Sequence, residues 1–281
     1  MKLPERKDLV AEAIYATYKK GEHRAHLGAS QIGTECERSL WYTFFWCTAV
    51  QHEPRILRLF ESGHLSETRV LDELRRAGFE VFDKEVGTGK QFSFSACNGH
   101  FGGSLDGFIK GVPDAEKTVH VLELKTSNDK NFRTLEKDGV LKAHPVHYAQ
   151  MMCYMGAFGL ERALYISVNK NTDEIYSERV HFEKSVYNAL LEKALRVIES
   201  KKPSPKISED PSWYQCKLCD HAGVCQNHQN PEKNCRTCEF SQIGGNGTWF
   251  CGKTDQILSF EEQLKGCQKY QLKILLDDIP F

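Results

Sequence analysis

Three ionisable side chains in the middle of the chain, Asp106, Glu123 and Lys125, are of the right types to do chemistry together. In Val119-His120-Val121-Leu122-Glu123-Leu124-Lys125-Thr126 the residues alternate in character. Strand side chains repeat every two residues, so Glu123 and Lys125 share one face and Leu122 and Leu124 the other. The turn Gly111-Val112-Pro113-Asp114 can fold the preceding segment, Gly102 to Gly107, back as a hairpin that sets Asp106 beside Glu123. Neighbouring carboxylates repel unless a cation lies between them, and hard oxygen ligands suit Mg2+ or Mn2+. With an ammonium alongside, the natural chemistry is metal-dependent hydrolysis. The plain alternative is a solvated strand face, because Glu-x-Lys alone is short and common.

The elements that must hold these residues follow from periodicity. Residues 6–20 are expected to be helical, with Leu9, Ala13, Ile14 and Tyr18 on a packing side. Ser30 and Thr34 are possible caps for a helix carrying Cys36, Leu40, Trp41, Phe44 and Phe45. A longer amphipathic helix, Arg55 to Ala77, has Leu59, Val70, Leu71 and Leu74 apolar and Gly78 as its stop. Strands are expected at 79–85 and 91–95, with His100 in a structural role. A polar helix at 128–137 would carry Lys130 and Arg133 towards a groove. A helix from Pro145 places Gln150 and Tyr154 four apart on one face, with Met151, Met152 and Met155 as core filler. Strands at 163–168 and 174–181 and a helix at 183–200 complete an α/β core with a mixed central sheet flanked by helices.

The 40% apolar content supports a real core. No apolar run approaches a membrane span and the charged start lacks a signal-peptide stretch, so a cytoplasmic protein without a membrane partner is expected. The net charge of −1 gives no global sign of nucleic-acid binding, so any such groove must be a local basic patch; Arg55 to Arg58, Arg75-Arg76 and Lys130 to Arg133 are the available runs.

Of the eleven cysteines, seven lie between Cys216 and Cys267. Disulfides are disfavoured in a reducing compartment, so clustering at short spacings argues for metal. The composition changes near residues 201–206. Three parts are therefore expected: a core at 1–205, a cysteine segment at 206–230 and a cysteine-rich tail at 231–281. Cys216, Cys219 and Cys225 supply three thiolates, with zinc completed by His221 or His228 as one possibility. Cys235, Cys238, Cys251 and Cys267 flank the Gly244-Gly245-Asn246-Gly247 turn as in a small zinc ribbon. Cys47, Cys97 and Cys153 have no such spacing and read as inert thiols.

Asp106 followed by Glu123-Leu124-Lys125 resembles the core motif of the PD-(D/E)XK nucleases. Leu105 stands where the family's name has proline, but the looser Gly-x-x-Asp form is present as Gly103-Ser104-Leu105-Asp106. Glu67 in Gly63-His64-Leu65-Ser66-Glu67 is similar to the acidic position on the helix before the catalytic sheet, and Gln150 with Tyr154 resembles the Gln-x-x-x-Tyr motif of the RecB-like branch. The resemblance covers roughly residues 28–225. It implies a restriction-endonuclease-like fold and a Mg2+- or Mn2+-dependent deoxyribonuclease. Asp106, Glu123, the Leu124 carbonyl and Glu67 would hold the ion, Lys125 would orient the attacking water, and Gln150 and Tyr154 would hold Lys125 or the scissile strand. Cys36 upstream with Cys216, Cys219 and Cys225 downstream is similar to the split set that holds a four-iron four-sulfur (4Fe-4S) cluster in AddB-like and CRISPR-adaptation nucleases.

The motif set resembles phage-type and recombination exonucleases. It implies DNA as substrate, a recombination protein as a possible partner, and a role in DNA recombination, repair or phage DNA processing, in the host cytoplasm if phage-encoded. A structure-specific endonuclease or junction resolvase is the narrower alternative. A catalytically inactive DNA-binding recombination factor is the alternative from another class.

Overall fold

The structure, a computed structural model, describes residues 8–18, 21, 23–49 and 52–273. Positions 6, 7, 19 and 20 of the expected first helix lie outside the described residues. Within them helix α1 spans Leu9–Tyr15, started by the Asp8 carboxylate accepting the Ala11 amide. Its expected packing side is exposed at Leu9 and Ile14, whereas the Tyr18 hydroxyl beyond it donates to the Glu61 carboxylate.

Strand β1 (Leu27–Gly28) leads through a tight turn to α2 (Glu37–Phe44). Cys36 is the N-cap rather than Ser30 or Thr34, because residues 28–34 are already turned on themselves by the Gln31 amide on the Gly28 carbonyl and the Thr34 amide on the Gln31 carbonyl. Helix α3 (Pro54–Arg76) starts on a proline that has no N–H to leave unsatisfied. Its inner half buries Val70 and Leu71, while Leu59, expected on the buried side, is exposed.

Five strands follow, β2 (Glu80–Phe82), β3 (Ser93–Ala96), β4 (Phe101–Ser104), β5 (Gly107–Lys110) and β6 (His120–Ser127), of which β3 and β4 form a separate sheet with β1 in the order β1-β4-β3. Helix α4 (Asp129–Ala143) runs past the expected end at 137 and is broken at Gly139, whose φ of 71° a side chain would disfavour. Then come α5 (Pro145–Phe158), β7 (Arg162–Asn169), β8 (Ile175–His181) and α6 (Lys184–Glu199).

The main sheet has the order β2-β5-β6-β7-β8, with β6 and β7 parallel and the other pairs antiparallel. A parallel pair needs a crossover, which α4 and α5 supply. Leu122, Leu124, Leu164, Ile166 and Val168 pack on one face against Val70 and Leu71 of α3. Val121, Ala163 and Tyr165 pack on the other with Met151, Met152 and Met155 of α5 and Leu190 and Val197 of α6. Both faces of β6 are therefore covered, and the alternation that allowed a solvated face belongs to a central buried strand.

Beyond the core come α7 (Tyr214–Lys217), α8 (Ala222–Cys225), the antiparallel meander β9 (Ser241–Ile243), β10 (Trp249–Cys251) and β11 (Gln256–Leu258), and α9 (Phe260–Lys265). Val224 and Trp249 from this part join the main hydrophobic core. Among the described residues no helix is long and apolar enough to cross a membrane.

Candidate active site

Where β5 leaves the sheet, a side chain continues the ladder. Strand pairing ends at Gly107 opposite Leu122, and the next amide outward, that of Leu124, donates to Asp106 Oδ2 at 2.7 Å. The hairpin thus brings Asp106 to the strand bearing Glu123 and Lys125, as expected. Glu123 is fully buried. Its Oε1 forms an ion pair with the Lys125 ammonium, and Oε2 takes no hydrogen bond from the described residues. Lys125 Nζ also donates to the Leu124 carbonyl at 3.3 Å.

The electrostatics record crowded negative charge. Burial pushes the Glu123 carboxyl up to about 7; Lys125 opposes the rise, and Asp106 and Glu67 add to it. Burial also raises Asp106, against the pull of Lys125 and the Leu124 amide. Glu67, on α3, is pushed up to about 7 by burial and then by the Asp106 charge. For Lys125 burial disfavours the charge, but Glu123 and Asp106 outweigh it and hold the ammonium above its ordinary range. Carboxylates raised by one another and by burial are groups that a divalent cation would stabilise in the charged form.

Gln150 and Tyr154 act one step back from the acids. The Gln150 amide donates to the Tyr154 hydroxyl at 2.9 Å, and that hydroxyl donates to the Ser104 carbonyl at 2.7 Å. They therefore hold the end of β4, two residues before Asp106, and their hydrogen bonds do not go to Lys125. Gly103 makes room: a Cβ there would lie 3.1 Å from the tyrosine oxygen.

These groups open into a cleft of about 1040 Å³ bordered by Glu67, Asp106, Leu124, Lys125, Gln150 and Tyr154. Besides Lys125, its cationic and basic lining comes from Arg24, His26, His64 and Lys170, none of which lies in the basic runs expected from the sequence. Of the runs expected to supply a basic groove, Arg55 to Arg58 borders the cleft through Ile56, whereas the other two pair with acids through Arg75 and Arg133. Arg75 pairs with Asp72 and Asp83, Arg133 pairs with Glu136 and Glu174, and α4 does not border the cleft. Arg24 and His26 precede a two-residue strand set by pairing with distant β4, and nothing in the local sequence period marks them.

Among the described residues, no group of three or more His, Cys, Asp or Glu side chains is disposed to hold a metal ion as it stands. The expected three carboxylates and two four-cysteine sets are therefore not seen in ligating arrangement among the described residues. The oxygen donors that do adjoin are the Asp106 and Glu123 carboxylates and the Leu124 carbonyl. They fit a hard divalent cation: one buried Glu123 oxygen is unpartnered and the neighbouring acids repel.

The cysteines sort into the two expected quartets but only as walls. Cys36, Cys216, Cys219 and Cys225 border a cavity of about 350 Å³, with Arg38 and Lys206. Cys235, Cys238, Cys251 and Cys267 border one of about 20 Å³. Burial and the neighbouring sulfurs raise Cys235 to about 11, and its thiol donates to the Glu262 carbonyl at 3.4 Å. His221 is not available as a zinc ligand in place of Cys36: Nε2 pairs with the Thr43 hydroxyl at 2.9 Å and Nδ1 with that of Thr48 at 2.8 Å. His100 is structural as expected, buried with Nε2 on the Gly244 carbonyl.

The family model of the PD-(D/E)XK nuclease superfamily matches residues 9–226. Among solved structures, LHK-Exo in complex with dAMP aligns with a TM-score of 0.46 at 16% identity, over 66% of this chain and 90% of that one. The alkaline exonuclease LHK-Exo from Laribacter hongkongensis gives 0.45 at 16%, over 66% and 90%. SSO0001 gives 0.41 at 15%, over 77% and 96%. No curated protein matches.

Proposed function

Because the chain belongs to the PD-(D/E)XK nuclease superfamily and is a nuclease on that ground, we propose that it hydrolyses DNA phosphodiester bonds with Mg2+ or Mn2+, as an exonuclease serving DNA recombination, repair or phage DNA processing. The observation that carries this reading is the fixed placement of Asp106 on the Leu124 amide beside buried Glu123 and the Lys125 ammonium, with Asp106 and Lys125 lining one cleft.

Asp106, Glu123 and the Leu124 carbonyl would hold the cation, with Glu67 within reach through water. When bound, the ion supplies Lewis acidity and lowers the pKa of water. The chain's own part is positioning and charge. Lys125, kept protonated by two carboxylates, presents an ammonium to the attacking water and to the charge that grows on the phosphoryl oxygens. Water attacks phosphorus opposite the leaving sugar oxygen, giving up its proton to solvent; the ester bond breaks with its electron pair on that oxygen, which takes a proton from water, and no covalent enzyme intermediate forms. Gln150 and Tyr154 fix the backbone that carries Asp106. Arg24, His26 and Lys170 are placed to meet phosphates of the flanking nucleotides. The exonuclease assignment rests on the order of motifs, Glu67, Asp106, Glu-x-Lys, then Gln150 and Tyr154.

The same reading divides the chain into a nuclease core at 1–205, a cysteine segment at 206–230 and a tail at 231–281. The larger cysteine cavity is assigned to a 4Fe-4S cluster and the smaller to zinc. About 350 Å³ is on the order of ten water volumes, whereas about 20 Å³ holds one small sphere. Iron and zinc analysis of anaerobically purified protein tests both assignments, and absence of either metal removes that part.

The activity is tested by incubating labelled linear and closed circular DNA with the wild type and Lys125→Ala, with and without Mg2+. Degradation of linear DNA only, dependent on Mg2+ and abolished in the variant, is the expected result. Equal, negligible turnover by both proteins sinks the proposal, and cutting of closed circles replaces the exonuclease with an endonuclease.

A further inference from the structure

The tail reaches the catalytic cleft through one buried cation. Arg236 lies between the paired cysteines 235 and 238 and is 1% exposed. Its guanidinium carbon sits 3.7 Å from the ring centroid of Trp46, 4.5 Å from that of Trp249 and 5.5 Å from that of Phe44. The donors leave this aromatic box in three directions: Nε to Gln263 Oε1 at 3.0 Å, Nη1 to the Phe44 carbonyl at 2.9 Å and Nη2 to the Ala25 carbonyl at 2.8 Å. Burial works against the charge, and aromatic faces and carbonyl oxygens are the groups that offset it.

Where that fork points matters more than the stability it confers. The Trp46 indole N–H donates to the Arg24 carbonyl at 2.9 Å, so two consecutive carbonyls, of Arg24 and Ala25, are held from the same box. The side chains on either side of Ala25, those of Arg24 and His26, line the catalytic cleft. The next residues are fixed from the other direction: the Leu27 amide donates to the His100 carbonyl and that of Ala29 to the Gly102 carbonyl, on the strand that runs into Asp106. The basic wall of the cleft is thus clamped between β4 and the tail. Asp106, Glu123 and Lys125 have separate supports in the Leu124 amide and the Gln150–Tyr154 pair.

We propose that Arg236 is a positioning residue for substrate binding, setting the affinity of the cleft for nucleic acid by holding the Arg24–His26 backbone, while the chemical step depends on other contacts. The proposal rests on the nuclease reading above. It requires the planar fork of arginine, whose three nitrogens each meet a different acceptor, a spread that the single nitrogen of a lysine does not span.

The test measures KM and kcat on labelled linear DNA for Arg236→Lys, Trp46→Phe and Arg24→Ala. It also measures the affinity of each change for the same DNA in a Lys125→Ala background. Arg236→Lys and Trp46→Phe are expected to raise KM about tenfold with kcat within about twofold, and to weaken binding equally in the inactive background. If Arg236 and Trp46 act through Arg24, adding Trp46→Phe to Arg24→Ala should cost little more than Arg24→Ala alone. Trp46→Phe keeps a ring in the box and decides the matter if Arg236→Lys does not fold. Wild-type affinity in folded variants, a loss in kcat at unchanged KM, or full additivity with Arg24→Ala would overturn the proposal and leave the nuclease reading standing. If the Lys125→Ala chain binds no DNA and the wild type cuts none, the nuclease reading falls and this inference with it.

Discussion

The acidic cleft and the cysteine-lined regions gather like-charged ligands by opposite means. In the cleft the fold does the gathering: a central strand buries Glu123, a ladder amide fixes Asp106, and the carboxyls respond with raised pKa values. Around the cysteine cavities no ligating arrangement is seen among the described residues; burial and neighbouring sulfurs raise the Cys235 thiol to about 11, while for Cys251 burial is outweighed by hydrogen bonds from Thr254 and Lys253 that lower it. Carboxylates are charged in the unfolded chain, so bringing them together costs free energy that the fold must supply in advance. Thiols approach one another neutral, and a metal that displaces their protons can complete the site afterwards. The cleft residues should therefore be dispensable for stability and the clustered cysteines indispensable for it.

The sharpest way to break that contrast is Asp106→Asn. Loss of a cation-binding oxygen charge is expected to lower the single-turnover cleavage rate by about 10³-fold or more, while the melting midpoint stays level or rises. Retention of a tenth of the rate, or a large fall in the midpoint, would show that Asp106 belongs to the structural class instead.

Cys238→Ser should behave in the reverse way. With a bound metal contributing to folding, its loss is expected to lower the midpoint by roughly 5–10 °C, accompanied by loss of zinc from the purified protein. An unchanged midpoint and metal content would leave the tail held by Arg236, Trp249 and the β9–β11 meander alone.

What could be read in the sequence follows the same division. Glu123 and Lys125 were legible because a strand period of two is local, and Gln150 and Tyr154 because a helix period near four is. The hairpin that carries Asp106 was legible because Gly111 and Pro113 mark the reversal locally, inside the connection between β5 and β6. Arg24, His26 and Arg236 were not, since their placement depends on β1 pairing with β4 and on a guanidinium crossing from the tail to Ala25. Spacing grouped the cysteines as the two cavity linings group them, but it carries no information on whether four sulfurs point inward. The exposed Leu9 and Ile14 make the same point: an apolar stripe states what can be buried, and the partner is supplied by the rest of the chain.

Tyr154→Phe probes the support of the cleft without touching its charges. The ring stays, but the donor to the Ser104 carbonyl and the acceptor for Gln150 are lost. A fall in kcat of about tenfold at constant KM is expected from looser placement of Asp106. A change in KM alone would assign the tyrosine to substrate contact.

The smallest effect concerns stability and pH, and it tests the premise that the fold assembles the acids at a cost. Glu123 has a folded pKa of about 7 against about 4.3 in an unfolded chain. Between those values the folded state binds more protons, so stability in the presence of chelator should fall as pH rises from about 4.5 to 7. The opposing pull of Lys125 is already contained in the folded value of about 7. Glu123→Gln should flatten the dependence and raise stability at pH 7, at the expense of cleavage. Added Mg2+ should flatten it in the wild type too, because a cation on the carboxylates lowers their pKa back towards the unfolded value. Chemical denaturation at several pH values decides the point. If the wild type gains stability between pH 4.5 and 7 by more than Glu123→Gln does, Glu123 is a stabilising ion-pair partner of Lys125, and the cleft is built on the same principle as the tail.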